Sequence, residues 1–229
     1  MKVVTGENVG IQFDNRWLYR QINFAVNKQR ILAIVGDNGV GKTTLLRAIL
    51  GVQTLTEGTI KYSDDHQVIA YVPQYRPDMQ AFPIKISEYI SLSFDSGLLP
   101  WKQPREKKLL AHIIEDTNLR QLANSRIDTA SGGEKQRAYL AQALVKQPNI
   151  LILDEATANL DNSAKYEFME VVKHYQNHHE LTILMVSHDL DIITRYADDY
   201  LLLSKEGGEQ GFVADLDITR LQEGSQNHA

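Results

Sequence analysis

The stretch Gly36-Asp37-Asn38-Gly39-Val40-Gly41-Lys42-Thr43 constrains this 229-residue chain more than any other part of it. It fills every fixed position of the phosphate-cradling pattern G-x-x-x-x-G-K-[ST]. Its surroundings are those the pattern needs. The apolar run Ile31-Leu32-Ala33-Ile34-Val35 precedes it, and the helix-like Thr44-Leu45-Leu46-Arg47-Ala48-Ile49-Leu50 follows. A strand-to-helix turn aims backbone N–H groups and the positive end of a helix dipole at one point, which suits an anion. A surface glycine turn would need none of this flanking order. The stretch therefore predicts a nucleoside triphosphate site over residues 36–44, Thr44 included. Lys42 would reach the terminal phosphates, and the Thr43 hydroxyl is placed to coordinate magnesium.

Composition removes several alternatives. The chain is 43% hydrophobic and 23% charged, which is a folding composition and not a disordered one. Its net charge of -5 argues against a broad surface for nucleic acid, so no nucleic-acid partner is expected. With no cysteine, disulfides, thiolate zinc sites and thiol catalysis are excluded together. The first residues lack the apolar core of a signal peptide, and no apolar run approaches the ~20 residues of a spanning helix. A cytoplasmic location is expected, with any membrane link running through another protein.

Along the chain, residues 3–24 read as alternating strands with a turn at Asp14-Asn15-Arg16. After the phosphate loop, Thr59-Ile60-Lys61-Tyr62 is β-like, and Val68-Ile69-Ala70-Tyr71-Val72 reads as a buried strand ended by Pro73. From Tyr75 the character changes. Pro77, Pro83, Pro100 and Pro104 punctuate helical patterns at residues 86–94 and 105–117. In the second pattern Leu109, Leu110, Ile113 and Ile114 form an apolar stripe at helical spacing. A helix from Ser131 to Leu144, a strand over 150–153 and the apolar run 181–186 follow, and then Ser187-His188-Asp189. Strands alternating with helices predict a mostly parallel sheet covered on both faces. The tail suggests a hairpin about Gly207-Gly208, with residues 223–229 frayed.

Two further motifs carry chemistry. Asp154 ends an apolar strand, so its carboxylate emerges at the sheet's carboxyl edge, where phosphate and metal collect in open α/β sheets. Glu155 is adjacent and points elsewhere; the expected division is Asp154 on magnesium and Glu155 on the attacking water. At Ser131-Gly132-Gly133-Glu134, two glycines before a helix leave backbone N–H groups bare and offer a second anion cradle. A serine N-cap would explain the same letters. Yet one phosphate does not need two cradles, so the second would serve a nucleotide held by another copy. His174, His178 and His179 read as a polar helix end on the surface.

From about Val9 to Asp199 the chain resembles the nucleotide-binding subunit of ATP-binding cassette (ABC) transporters. Ser131-Gly132-Gly133-Glu134 is similar to the signature motif, Asn159-Leu160-Asp161 to the D-loop, and His188 to the switch histidine that contacts the γ-phosphate. Gln74 resembles the Q-loop glutamine, which senses the γ-phosphate and magnesium. Phe13 stands where the family places an adenine-stacking aromatic, with Trp17 or Tyr19 as substitutes. Three positions depart from the pattern: Ala130 replaces the leucine that usually opens the signature, no glycine precedes the first core strand, and Ala156 follows Glu155 where many relatives have proline.

The resemblance implies an α/β fold: a P-loop NTPase core with a mostly parallel sheet, an N-terminal antiparallel β subdomain and an inserted α-helical subdomain. Residues 1–74 and 132–229 would form the core and β subdomain, and 75–131 the helical subdomain. It also implies ATP and Mg2+ as cofactors, with Thr43, Gln74 and Asp154 about the metal and Lys42, Gln74, Glu155 and His188 in hydrolysis. Implied partners are a second copy, docked head-to-tail, and a polytopic membrane permease holding the chain on the inner face of the membrane. A solute-binding protein would join them in an importer. Residues 74–89 are similar to the region after the Q-loop in bacterial zinc and manganese importers. An exporter subunit, or a channel-free ATPase of the iron–sulfur assembly type, are the alternatives. A groove near residues 74–90, lined by Phe82, Ile84 and Ile86, would receive a helix of the membrane partner.

Overall fold

A computed structural model of the chain describes residues 1–64, 67–74, 83–94 and 103–216. Two long strands, β1 (Lys2–Phe13) and β2 (Arg16–Asn27), pair antiparallel about a tight turn at Asp14 and Asn15. Both turn residues have positive φ, 45° and 62°, the conformation a two-residue hairpin between twisted strands requires. β4 (Glu57–Tyr62) adds to the other edge of β1, giving a three-stranded antiparallel sheet.

The second sheet has six strands in the order β5-β6-β7-β3-β8-β9. These are β3 (Ile31–Val35), β5 (Ile69–Val72), β6 (Ile150–Asp154), β7 (Thr182–Val186), β8 (Asp199–Leu203) and β9 (Gly208–Phe212). All neighbours run parallel except β8 and β9, which form the C-terminal hairpin. The fold is the expected α/β arrangement, with an antiparallel β layer and a set of helices beside a mostly parallel sheet.

Strand alternation explains the continuous apolar runs. Ile31, Ala33 and Val35 of β3, Leu151 and Leu153 of β6, and Ile183 and Met185 of β7 enter one core with the helices. Leu32, Ile34, Ile150, Ile152, Leu184 and Val186 enter the opposite core, packed against β1, β2 and the helix α1 (Lys42–Ile49). With both faces buried, neither face of these strands tolerates polar residues until the strand ends. The next position after Leu153 turns to the α1 side. That position is Asp154.

The remaining helices are α2 (Ile86–Ser91), α3 (Pro104–Asp116), α4 (Gly132–Leu144), α5 (Asn162–His178) and α6 (Leu190–Tyr196). Ile86 and Ile90 of α2, Ile113 of α3 and Leu119 beyond it join the same apolar cluster as Ala138 and Leu140 of α4. The middle helices thus share the main core and have none of their own. This corrects one expectation. Ile86 is fully buried because Ile86 and Ile90, four apart, are the inward stripe of α2, so Ile86 cannot line an open groove. Ile84 is half-buried against the core. Phe82, Tyr75, Pro77, Pro100 and residues 223–229 lie outside the described residues. On this side the surface instead carries a cleft of about 290 Å³ between β5, α2 and α4, lined by Tyr71, Pro73, Tyr89, Tyr139 and Gln142.

Candidate functional site

Gly36 leaves β3 with φ 145°, and a Cβ there would lie 2.4 Å from the carbonyl oxygen of Leu203. Gly41 caps α1 with φ 102°, where a Cβ would sit 2.4 Å from Leu18 Cδ2. Only glycine meets both demands, conformation and close approach. The contact with Leu18 and Tyr19 also shows that the β1–β2 hairpin packs against the loop. Lys42 is buried, and its Nζ donates to the carbonyls of Gly36 (2.8 Å) and Asp37 (2.9 Å). Burial lowers its pKa, while Glu155, Asp37 and Asp154 pull the other way. The three carboxylates offset part of that burial cost.

β3, β5, β6 and β7 run parallel, so the residues just past their ends share one edge of the sheet. Gly36, Gln74, Asp154-Glu155 and Ser187-His188 therefore gather there. The Thr43 hydroxyl donates to Asp154 Oδ1 at 3.0 Å. The Tyr71 hydroxyl donates to Asp154 Oδ2 at 2.8 Å. His188 Nε2 lies 3.2 Å from Glu155 Oε1. Gln74, half-buried, leaves β5 one residue after Pro73 at the same edge. Beside Glu155 and His188 opens a cavity of about 510 Å³ that also meets Ser187, Lys165 and Asp189, the last two joined at 2.8 Å.

Two features here were not read from the sequence. Glu155 has φ 50°, in the left-handed region that costs an L-residue about 1–2 kcal/mol. Its N–H bonds the carbonyl of Val186 (3.1 Å), and its own carbonyl accepts from Ala158 (2.9 Å), which hold it there. Strain fixed in this way turns Glu155 away from Asp154 and towards His188. Tyr71 is the second. It pairs with Ile152 across β5 and β6, two residues before Asp154 on the same face. The alternation of β5 contains that signal, but only once the pairing of the strands is known.

The Ser131 turn lies elsewhere. Ser131 is the N-cap of α4: its Oγ accepts from the Glu134 N–H (3.3 Å), and the Glu134 carboxylate accepts from the Ser131 N–H (2.8 Å). Glu134 is therefore occupied as a cap partner. The N–H groups of Gly132 and Gly133, the first two helical residues, stand outside the helix's own ladder. A Cβ at Gly133 would come within 2.9 Å of Ala164 Cβ, so α5 packs close to the turn. Ser131, Gly132, Asn159 and Asp161 face a second cleft of about 290 Å³, which shares no lining residue with the Glu155 cavity.

Of the aromatics, Phe13 is 48% exposed at the end of the hairpin strand. Trp17 lies under the Arg20 guanidinium at 4.2 Å. Tyr19 is fully buried in the core, so it cannot serve as an open stacking face.

The ABC transporter family model matches residues 19–158, more than half of the chain. The chain belongs to the ABC transporter family. It is 32% identical to the zinc import ATP-binding protein ZnuC of Buchnera aphidicola subsp. Baizongia pistaciae over 86% of this chain and 79% of that protein. It is 29% identical to the manganese transport system ATP-binding protein MntB of Halalkalibacterium halodurans, over 93% and 88% respectively. Among solved structures it is similar to cbiO1 of Clostridium perfringens, part of the ABC transporter complex cbiONQ. The TM-score is 0.82 and the identity 26%, over 96% of this chain and 93% of that one. As an ABC ATPase, this chain binds ATP and hydrolyses it to ADP and phosphate. No helix among the described residues is long and apolar enough to cross a membrane.

Proposed function

We propose that the chain is the energy-coupling subunit of a divalent-metal importer, acting as a head-to-tail pair with ATP enclosed between the two copies. The observation that carries this reading is the division of the site. The Lys42 loop, Asp154, Glu155 and His188 converge at one sheet edge, while the Ser131 turn faces a separate cleft. A second copy would bring its Ser131 turn to the first copy's nucleotide. Residues 36–44 would then hold the phosphates, Phe13 the adenine, and Ser131 to Glu134 of the other copy the far side of the γ-phosphate.

Thr43 and Asp154 present hard oxygen donors 3.0 Å apart, a fit for magnesium, with Gln74 at the same edge. Held there, magnesium would supply positive charge to offset that of the phosphates. Glu155 orients the attacking water and accepts its proton, as the water oxygen bonds to the γ-phosphorus and the bond to the bridging oxygen breaks, its electron pair leaving with ADP. His188 steadies Glu155 and the γ-phosphate. Catalysis of this kind is positioning and charge stabilisation. The pair is stable with ATP and parts after hydrolysis, a population shift driven by differential affinity. In this reading residues 1–74 and 132–229 bind nucleotide, and residues 75–131 with the cleft at Tyr71, Pro73 and Tyr89 face the permease.

The names carried by the zinc and manganese relatives support the cargo class and the direction. A tagged Glu155→Gln chain drawn from its native cells in detergent with ATP should bring down a polytopic membrane protein and a solute-binding protein. Loss of the chain should also remove uptake of radiolabelled zinc or manganese. Recovery of soluble proteins alone across several detergents would defeat the transporter reading, and uptake unchanged for both metals would defeat the cargo.

A further inference from the structure

α3 carries His112 and Asp116 one turn apart at its C-terminal end, and His179 is the C-cap of α5. The fold brings the three together. His112 Nε2 lies 3.3 Å from Asp116 Oδ2, and His179 Nε2 lies 3.8 Å from the same oxygen. The three donor atoms all fall within 4.8 Å of one another. Asp116 Oδ2 is itself buried, with the Tyr175 hydroxyl facing the carboxylate beside the two imidazoles. Two imidazoles and a carboxylate converging on one small space make more sense with something positive between them.

Distances decide whether a cation fits. With metal–nitrogen and metal–oxygen bonds of about 2.0–2.2 Å, tetrahedral donors stand about 3.4 Å apart. The His112–Asp116 separation already meets this, and the His179–Asp116 separation exceeds it only slightly. Closing the imidazole pair requires rotation of side chains that are 56% and 40% exposed, with the His179 ring leaving its stack on Tyr175 at 4.6 Å. A set of two nitrogens and one oxygen suits zinc-class cations; magnesium and calcium prefer oxygen throughout.

We propose that His112, Asp116 and His179 form a zinc-class divalent cation site that ties the end of α3 to the end of α5. Three protein donors leave a fourth position for water. His174 and His178 stand outside it: their rings stack at 4.2 Å, and His178 Nδ1 meets the His174 carbonyl at 2.8 Å. None of the three ligands lines the Glu155 cavity or the Ser131 cleft, so the site is independent of ATP chemistry.

The test is a zinc titration of the full chain, free of nucleotide and of any histidine tag, against a chromophoric chelator. Melting temperature is followed in parallel. The parent chain should take up one equivalent and gain thermal stability from it. His112→Ala, Asp116→Asn and His179→Ala should each weaken binding about 100-fold or more and abolish the thermal gain. His174→Ala and His178→Ala should leave both unchanged. Retained ATP binding by calorimetry shows that each variant is folded, and it also separates this result from any failure of the transporter reading. Absence of stoichiometric zinc uptake by the parent chain would overturn the proposal. So would a His179→Ala chain that binds as the parent does, or a His178→Ala chain that loses as much affinity as His179→Ala.

Discussion

Glu155→Gln should bind ATP as the parent chain does while hydrolysing it about a hundred- to ten-thousand-fold more slowly, the range for loss of a positioned proton acceptor. The amide has the size of the carboxylate and can keep the contact made 3.2 Å from His188 Nε2. Gln tolerates the left-handed backbone at this position no worse than Glu, so the fold is not taxed. What is lost is the negative oxygen that orients water. Asp154, with both carboxylate oxygens engaged by Thr43 and Tyr71, is already committed and cannot replace it. Phosphate release and equilibrium nucleotide binding, measured on the same preparation, separate the two effects. Turnover at the parent rate would remove Glu155 from the water-orienting role.

Lys42→Ala should weaken ATP binding by about 1.5–3 kcal/mol, or roughly 10- to 150-fold in Kd, the value of a charge-assisted hydrogen bond to phosphate. Lys42 Nζ holds the carbonyls of Gly36 and Asp37, so its loss also frees the loop that must present its N–H groups to the anion. Both consequences act on binding, and so KM for ATP should rise together with Kd. Global stability should change little, because the loop's shape is also set by the fit of Gly36 and Gly41 against Leu203 and Leu18. Calorimetry showing unchanged affinity would contradict the phosphate-loop account.

Much of this was legible in the sequence because it is local. The loop, the strand ending at Asp154 and the serine cap of α4 each announce themselves within ten residues, as pattern plus flanking hydrophobicity. The doubly buried sheet follows from apolar runs in β3, β6 and β7 that no one-sided strand would need. What escaped depends on pairing across the chain. Tyr71 reaches Asp154 only because β5 lies beside β6 in one particular register. The left-handed Glu155 is set by Val186 on a neighbouring strand. The spacing of Ile86 to Ile90 marks the buried face of α2, which a groove reading of residues 74–90 overlooks. Tyr19 is near the adenine position in sequence, but the hairpin turns it into the core beneath the phosphate loop. His112 and Asp116 carry no sequence signal of their own, because their partner, His179, sits at the end of a different helix.

The enclosed-nucleotide pair is tested most directly by sedimentation velocity of the Glu155→Gln chain with and without ATP. The account predicts a single-copy species without nucleotide and a two-copy species with saturating ATP. It also predicts that adding Ser131→Arg abolishes the pair while ATP binding persists, since Ser131 is exposed and faces a cleft that none of residues 36–44 lines. A Glu155→Gln chain that binds ATP yet stays a single copy, or a Ser131→Arg double variant that pairs as well as its parent, would contradict it.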